Sequence, residues 1–182
     1  VWTLILLSKQ PAIRERVEAE VDAVLAGRRA RYADLGQLPL TLRVFKEALR
    51  LYPPVYMLGR RAIRPLQLDG YQVRKNQVVL VNVFGMHHRG DLFTDPARFD
   101  PDRFLPERER ELPRHAFLPF GGGPRMCIGN HFALMEGQLL LANWLHKARF
   151  ELVDKDREIE LQPLITLRAK PGVRMRVSPR IP

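Results

Sequence analysis

One cysteine occurs in the 182-residue sequence, Cys127, within the stretch FGGGPRMCIG at 120–129. A thiolate ligates metals and attacks electrophiles, whereas a thiol does neither well, so the neighbours of this sulfur decide what it can do. Glycines at 121–123 and 129 let the backbone pass close to something large and flat. Arg125 stands two residues before the cysteine and can hold an anion beside it. A helical period starts just after Gly129, and backbone N–H groups at a helix start favour negative charge. Together these residues suit a thiolate ligand under a planar, anionic cofactor. Other chemistries use the same residue types. A lone cysteine can be a small buried hydrophobe. A Gly-rich turn before a helix also suits phosphate, although the Gly-Lys-Ser/Thr ending of a phosphate loop is absent. A nucleophilic cysteine needs a base, for which His115 and His131 are the candidates. A thiol-based redox enzyme lacks a second cysteine here to resolve its intermediate.

The loop must be positioned by other elements. Pro11 suits the first turn of a helix, and Ile13, Val17, Val24 and Leu25 continue it at helical spacing up to Gly27. A second helix begins near Pro39, carries Leu42, Phe45 and Leu49 on one stripe, and ends at YPP, 52–54. Residues 55–63 read as extended. Asp69-Gly70 signals a hairpin turn, and QVVLVNV at 77–83 is β-branched and strand-like. Residues 90–119 show no clear period and read as an ordered, irregular stretch with one or two short helices. Phe132, Met135, Leu139, Ala142 and Leu145 or His146 mark a final helix of roughly five turns. The tail offers the strand FELV and a hairpin over PLITLRAKPGVRMRV, turning near Pro171-Gly172. His87 and His88 are adjacent on an extended segment, point apart, and read as structural or surface residues.

Composition narrows the classes. The net charge is +10, carried by 24 arginines against six lysines. No basic run is interleaved with aromatics, and no zinc-finger or recognition-helix spacing occurs, which argues against nucleic acid. A single cysteine makes no internal disulfide and points to a reducing, cytoplasmic compartment. The opening VWTLILL is too short to span a bilayer and begins without a cap. It reads as the last turns of a helix whose start lies upstream, so a membrane anchor there stays open.

FGGGPRMCIG closely resembles the haem-binding signature of the cytochrome P-450 superfamily, the haem-thiolate monooxygenases, whose pattern is F-x-x-G-x-R-x-C-x-G. Phe120, Gly123, Arg125, Cys127 and Gly129 occupy its fixed positions. KEALR supplies Glu47 and Arg50, matching the family's E-x-x-R and running straight into LYPP. FDPDRF resembles F-x-P-E-R-F, with Asp102 where glutamate is more usual, and places Arg103 to complete a Glu47–Arg50–Arg103 network. The resemblance spans essentially the whole chain. It implies a mainly α fold with small β-sheets (α+β): the C-terminal, haem-binding half of a single P-450 domain over residues 1–182. That half holds the end of the central helix, the E-x-x-R helix, β hairpins, the meander, the cysteine loop with its helix, and a C-terminal hairpin.

The same resemblance implies the chemistry. Cys127 would be the proximal ligand of a b-type haem and the catalytic, metal-binding residue. Phe120, Gly121, Gly123, Arg125 and Gly129 would line the cofactor, and Arg60, or else Arg61, would meet a haem propionate. Val55, Tyr56, Met57, Leu58, Ile165 and Thr166 align with segments that line the substrate pocket; their bland reading is ordinary strand core. The parent protein would insert one oxygen atom of O2 into a lipophilic substrate. It would receive electrons from an acidic partner of ferredoxin or flavodoxin/reductase type at a basic surface near Cys127, with Arg114, Lys147 and Arg149 at its rim. The family's acid–threonine pair is not found, because Thr3 comes too late to be that threonine. The chain alone is therefore expected to be inactive, with the apolar face of Trp2, Leu4, Ile5 and Leu6 exposed. A haem-binding sensor or electron carrier, or an inactive structural piece, are the alternatives.

Overall fold

The computed structural model describes residues 1–180. Its helices are α1 (Trp2–Lys9), α2 (Pro11–Leu25), α3 (Pro39–Leu51), α4 (Val83–His87), α5 (Pro106–Glu111) and α6 (Asn130–Lys147). Prolines punctuate the first three. Pro11 pushes Gln10 out of helical geometry and opens α2 without sacrificing a helical hydrogen bond. The left-handed residues Ala26 (φ +46°) and Gly27 (φ +86°) end α2. Pro39 opens α3, whose first amides, on Leu40 and Thr41, donate to the Glu20 carboxylate of α2 at 2.7 and 2.8 Å. That carboxylate satisfies donors that a helix start leaves orphaned.

The apolar stripes of α1, α2, α3 and α6 meet in one core, with Leu7, Val17, Val21, Leu25, Val44, Ala48, Leu141 and Leu145 inside it. Burying each large side chain contributes about 1.5–3 kcal/mol. α6 lies close against α3 because Gly137 has no side chain; a Cβ there would overlap the Phe45 ring. Gln138, buried beside it, donates from Nε2 to the carbonyls of Leu35 and Leu38 at 2.9 and 2.8 Å. The opening helix is less exposed than its sequence suggests. Ile5 and Leu6 are buried, and Trp2 stacks on Tyr52 with ring centroids 4.0 Å apart. The fold turns this face inward against α2, α3 and the strand after α6, so the expected apolar surface is largely covered.

Among the described residues the strands form four separate antiparallel pairs. β1 (Met57–Arg61) pairs with β4 (Val78–Asn82), opposing Gly59 to Leu80. β2 (Leu66–Leu68) and β3 (Tyr71–Val73) form the expected hairpin, with Asp69 (φ +46°) and Gly70 (φ +83°) in its turn. β5 (Ala148–Leu152) pairs with the final strand β8 (Met175–Pro179), whereas β6 (Leu161–Pro163) pairs with β7 (Leu167–Ala169). The C-terminal hairpin thus turns at 164–166. Gly172 does turn, at φ +101°, but it carries the chain from one sheet to another. The strand after Gln77 also stops early, since Val83–His87 coil into α4 with Asn82 accepting from the Gly85 amide at 2.8 Å.

One ion pair joins α3 to the irregular segment that follows α4. Glu47 and Arg50, one turn apart on α3, are both fully buried. Arg50 donates from Nε and Nη2 to the two Glu47 oxygens at 2.7 and 2.8 Å. Its remaining donors reach the carbonyls of His87 at 2.7 Å, Pro96 at 2.9 Å and Arg98 at 3.2 Å. All five N–H groups of the guanidinium are used. Glu47 Oε1 also accepts the Asp100 amide at 3.0 Å and Arg103 Nε at 3.3 Å. Burial pushes the Glu47 carboxyl above its ordinary range, and Arg50, the Asp100 amide and Arg103 pull it back. Asp102 takes a separate task, bridging Arg16 of α2 at 3.1 Å and Arg43 of α3 at 3.5 Å.

Replacing Glu47 leaves Arg50 buried without its counter-charge. Glu47→Ala is expected to cost roughly 3–5 kcal/mol in denaturant unfolding. Arg103→Ala, which removes the 3.3 Å contact to Glu47 and the 2.8 Å bond to the Asp95 carbonyl but leaves the Glu47–Arg50 pair intact, should cost less, and the double variant should fall short of the sum. A Glu47→Ala protein as stable as its parent would show that the pair holds nothing together.

Candidate functional site

The cysteine loop leaves the core at Leu118 and returns at α6. The Leu118 carbonyl accepts the Gly121 amide at 3.1 Å, and the Phe120 carbonyl accepts the Cys127 amide at 2.9 Å, which closes the loop on itself. Gly121 and Gly123 both sit at φ +72°, in the left-handed region where a side chain is strained. A 3-10 turn, Gly123–Arg125, then lifts the chain to Met126. Gly129 caps α6, whose first hydrogen bond runs from the Ala133 amide to the Gly129 carbonyl at 2.8 Å.

The Cys127 thiol is exposed. Apolar side chains stand out with it: Ile128 is 103% exposed and Phe132 62%. A mainly apolar cavity of about 340 Å³ opens beside the loop, walled by Phe120, Ala133 and Leu140 as well as by α1 and α3. Strand β1 touches the loop from another side, since a Cβ on Gly121 would meet Leu58 at 3.5 Å. Alternate residues of a strand share a face, so Arg60 stands on the Leu58 face and Arg61 on the other. Arg60 and Arg125 are both exposed. A sulfur open to solvent, amid apolar surface and with arginines at its margin, fits a flat apolar group with anionic edges. Among the described residues no three His, Cys, Asp or Glu side chains gather as a metal site. A lone sulfur donor suits a metal whose other ligands come with the cofactor.

The segment expected to line a pocket lies nearby and is not core. Val55, Met57 and Ile165 are exposed, Ile165 at 97%. Tyr56 donates its hydroxyl to the Leu164 carbonyl at 3.0 Å, and the Leu167 amide donates to the Pro54 carbonyl at 2.8 Å. These bonds bring Val55–Leu58 alongside the 164–166 turn that carries Thr166. The rim expected for a basic surface does not assemble. Lys147 ends α6, about 26 Å from its start by helical rise, and Arg149 follows in β5, where it pairs with Glu18 at 2.9 Å. Of the three, only Arg114 stays near the loop in sequence, and it is exposed. Among the histidines, His115 is exposed beside the loop, where a Cβ on Gly122 would lie 3.2 Å from its Nδ1.

Comparison with known proteins decides the family. The family model described as Cytochrome P450 matches residues 1–174. The chain belongs to the cytochrome P450 family. Among its relatives, cyclooctatin synthase of Streptomyces melanosporofaciens is 41% identical over 179 residues, which cover 98% of this chain and 39% of that protein. Leukotriene-B4 omega-hydroxylase 3 of Mus musculus is 40% identical over 182 residues, covering 98% of this chain and 34% of the relative. The crystal structure of the cytochrome P450DA heme domain superposes with a TM-score of 0.92 at 31% identity, over 100% of this chain and 40% of that one. The chain thus spans two fifths or less of these P450 proteins, and it has their fold: helical, with small sheets.

The sequence left His87 as a structural or surface residue and gave it no partner. His87 is fully buried at the end of α4. Its Nε2 accepts the Leu118 amide at 2.8 Å, and its Nδ1 faces the Arg50 carbonyl at 3.0 Å. An amide can only donate, so Nε2 is bare and Nδ1 carries the proton. His88 points away, with Nδ1 on the Phe84 carbonyl at 2.9 Å and its ring stacked on Phe84. Burial pushes His87 down to about 4; the positive charges of Arg50 and His88 add to this, and its bond to the Arg50 carbonyl opposes it.

The folded-state value lies below the ordinary 6.5, so the unfolded chain takes up the proton first as pH falls. The contribution of neutral His87 is complete above about pH 6.5 and shrinks through the interval down to about 4, by about 3 kcal/mol in all. Urea unfolding from pH 7 to pH 4 should show this decline. In His87→Gln, which cannot titrate, that part of the slope should vanish. Equal slopes in both proteins would contradict a neutral, buried His87.

Proposed function

We propose that, in the full-length protein, these residues form the proximal side of a b-type haem monooxygenase that inserts one oxygen atom of O2 into a lipophilic organic substrate. The observation that carries this reading is the exposed Cys127 thiol on a glycine-bent loop at the start of α6, in a chain of the P450 family. A thiolate-ligated haem, when bound, supplies the activation of dioxygen. Cys127 would be its protein ligand. The Phe120–Cys127 backbone bond holds the sulfur's residue in place, and Phe120 would shield it from one side. Backbone N–H groups beyond Cys127 would temper the sulfur's charge. Arg125 and Arg60, both exposed, would neutralise the anionic edge of the macrocycle.

Substrate would meet Val55, Tyr56, Met57, Leu58, Ile165 and Thr166. Their exposed apolar groups favour a lipophilic ligand, and the names of the two relatives, a leukotriene-B4 omega-hydroxylase and a cyclooctatin synthase, agree with that class. Electrons would come from an acidic ferredoxin or flavodoxin/reductase partner, which the excess of arginine favours. The single cysteine favours a reducing, cytoplasmic setting, and no described helix is long and apolar enough to cross a membrane. By itself the 182-residue chain should not turn over substrate, since it carries no acid–threonine pair to deliver protons.

Cys127→Ser in the haem-loaded protein tests the assignment. The reduced carbonyl complex should lose its thiolate-type absorption, and product formation should fall to background. If the thiolate signature persisted unchanged, Cys127 would not be the ligand. A wild-type protein that shows that signature yet never forms product would favour a sensor or electron carrier instead.

A further inference from the structure

We infer that His87 is the positioning residue of the cysteine loop: its imidazole fastens the Leu118 amide to the last turn of α3 and so sets where the chain departs for Cys127. The geometry is specific. The ring is fully buried. It stacks on Phe117, with centroids 5.5 Å apart, and meets Phe93 edge-on at 6.4 Å. Both ring nitrogens are engaged, one on the Arg50 carbonyl of α3 and one on the Leu118 amide. The link is doubled from the other side, because Arg50 Nη1 donates to the His87 carbonyl at 2.7 Å. Neither the backbone nor the side chain of His87 can therefore move without disturbing Arg50.

Leu118 is the residue where this anchor meets the loop. Its amide is held by His87, and its carbonyl takes the Gly121 amide at 3.1 Å. Pro119 is buried, and the next carbonyl, on Phe120, holds the Cys127 amide at 2.9 Å. A short run of hydrogen bonds thus leads from the buried Glu47–Arg50 pair through His87 to the residue that bears the sulfur. A space-filling ring would need only the stacking. A positioning ring needs an acceptor at the Nε2 place, because an amide partly shut off from water and left without a partner is costly.

That difference gives the test. His87→Gln can put a carbonyl oxygen near the Nε2 place and keep the Leu118 amide bonded. His87→Asn can keep a donor near the Nδ1 place but leaves the Leu118 amide unmet. His87→Phe keeps the stacking alone. Hydrogen exchange should find the Leu118 amide about 10- to 100-fold faster in the Asn and Phe variants and close to wild type in Gln. In the haem-loaded protein, an arm that rests on the proposed function, the Asn and Phe variants should convert part of the reduced carbonyl complex from the thiolate to the non-thiolate form, and Gln should not. Should Phe fail to fold, the Gln–Asn contrast carries the result. Exchange at Leu118 that is the same in all variants, or slower in Asn than in Gln, would reduce His87 to a filler. A wild-type protein without a thiolate signature would defeat the haem reading alone, and the exchange order would still decide the role of His87.

Discussion

Taking Glu47 and Arg50 out of water is expensive, and their mutual attraction offsets the cost only when the remaining donors and acceptors are also met. Here α3 alone cannot meet them. The guanidinium has five donors, and the carboxylate beside it takes two. The other three need carbonyls, and 87–98 supplies them. A segment with almost no regular structure is thereby held to one conformation by the electrostatic demand of a helix. The pair acts less as a source of stability than as a selector of the conformation that the irregular chain adopts.

From that anchor, order spreads outward in short steps. His87 returns a bond to Arg50 and passes one to Leu118. The loop closes between Phe120 and Cys127, and α6 begins at Asn130, directly after the cap at Gly129. Each step uses a backbone amide or carbonyl, so the path depends little on which apolar side chains surround it. Packing supplies the other constraint. α6 approaches α3 closely because Gly137 makes room for the Phe45 ring, and this fixes the helix to which the loop returns.

Much of this was legible in the sequence where a local rule governs it. The prolines at 11 and 39, the Asp69-Gly70 turn and the period of α6 all mark elements that the structure contains. The glycines and arginine around Cys127 could be recognised because their types and spacing are specific. Long-range partnerships were harder to read. Gly172 gives a turn signal, but no local feature reveals that β8 pairs with β5 across the chain rather than with its neighbour. His87 was read as a structural or surface residue on an extended segment, because nothing in VFGMHHRG shows that its ring will face an amide at position 118. Lys147 and Arg149 were placed at the rim of a basic surface near the loop, and the length of α6 carries them away.

The turn at 164–166 is attached differently from the cysteine loop. Its described hydrogen bonds to the rest of the molecule run to the 54–56 segment, through the Leu167 amide and the Tyr56 hydroxyl. The sulfur-bearing loop is instead tied to α3 through His87. Side chains such as Ile165 can therefore be exchanged without loosening the ties that hold Cys127. Under the proposed function, such a division would let the turn that meets substrate vary in sequence while the sulfur-bearing loop keeps its place.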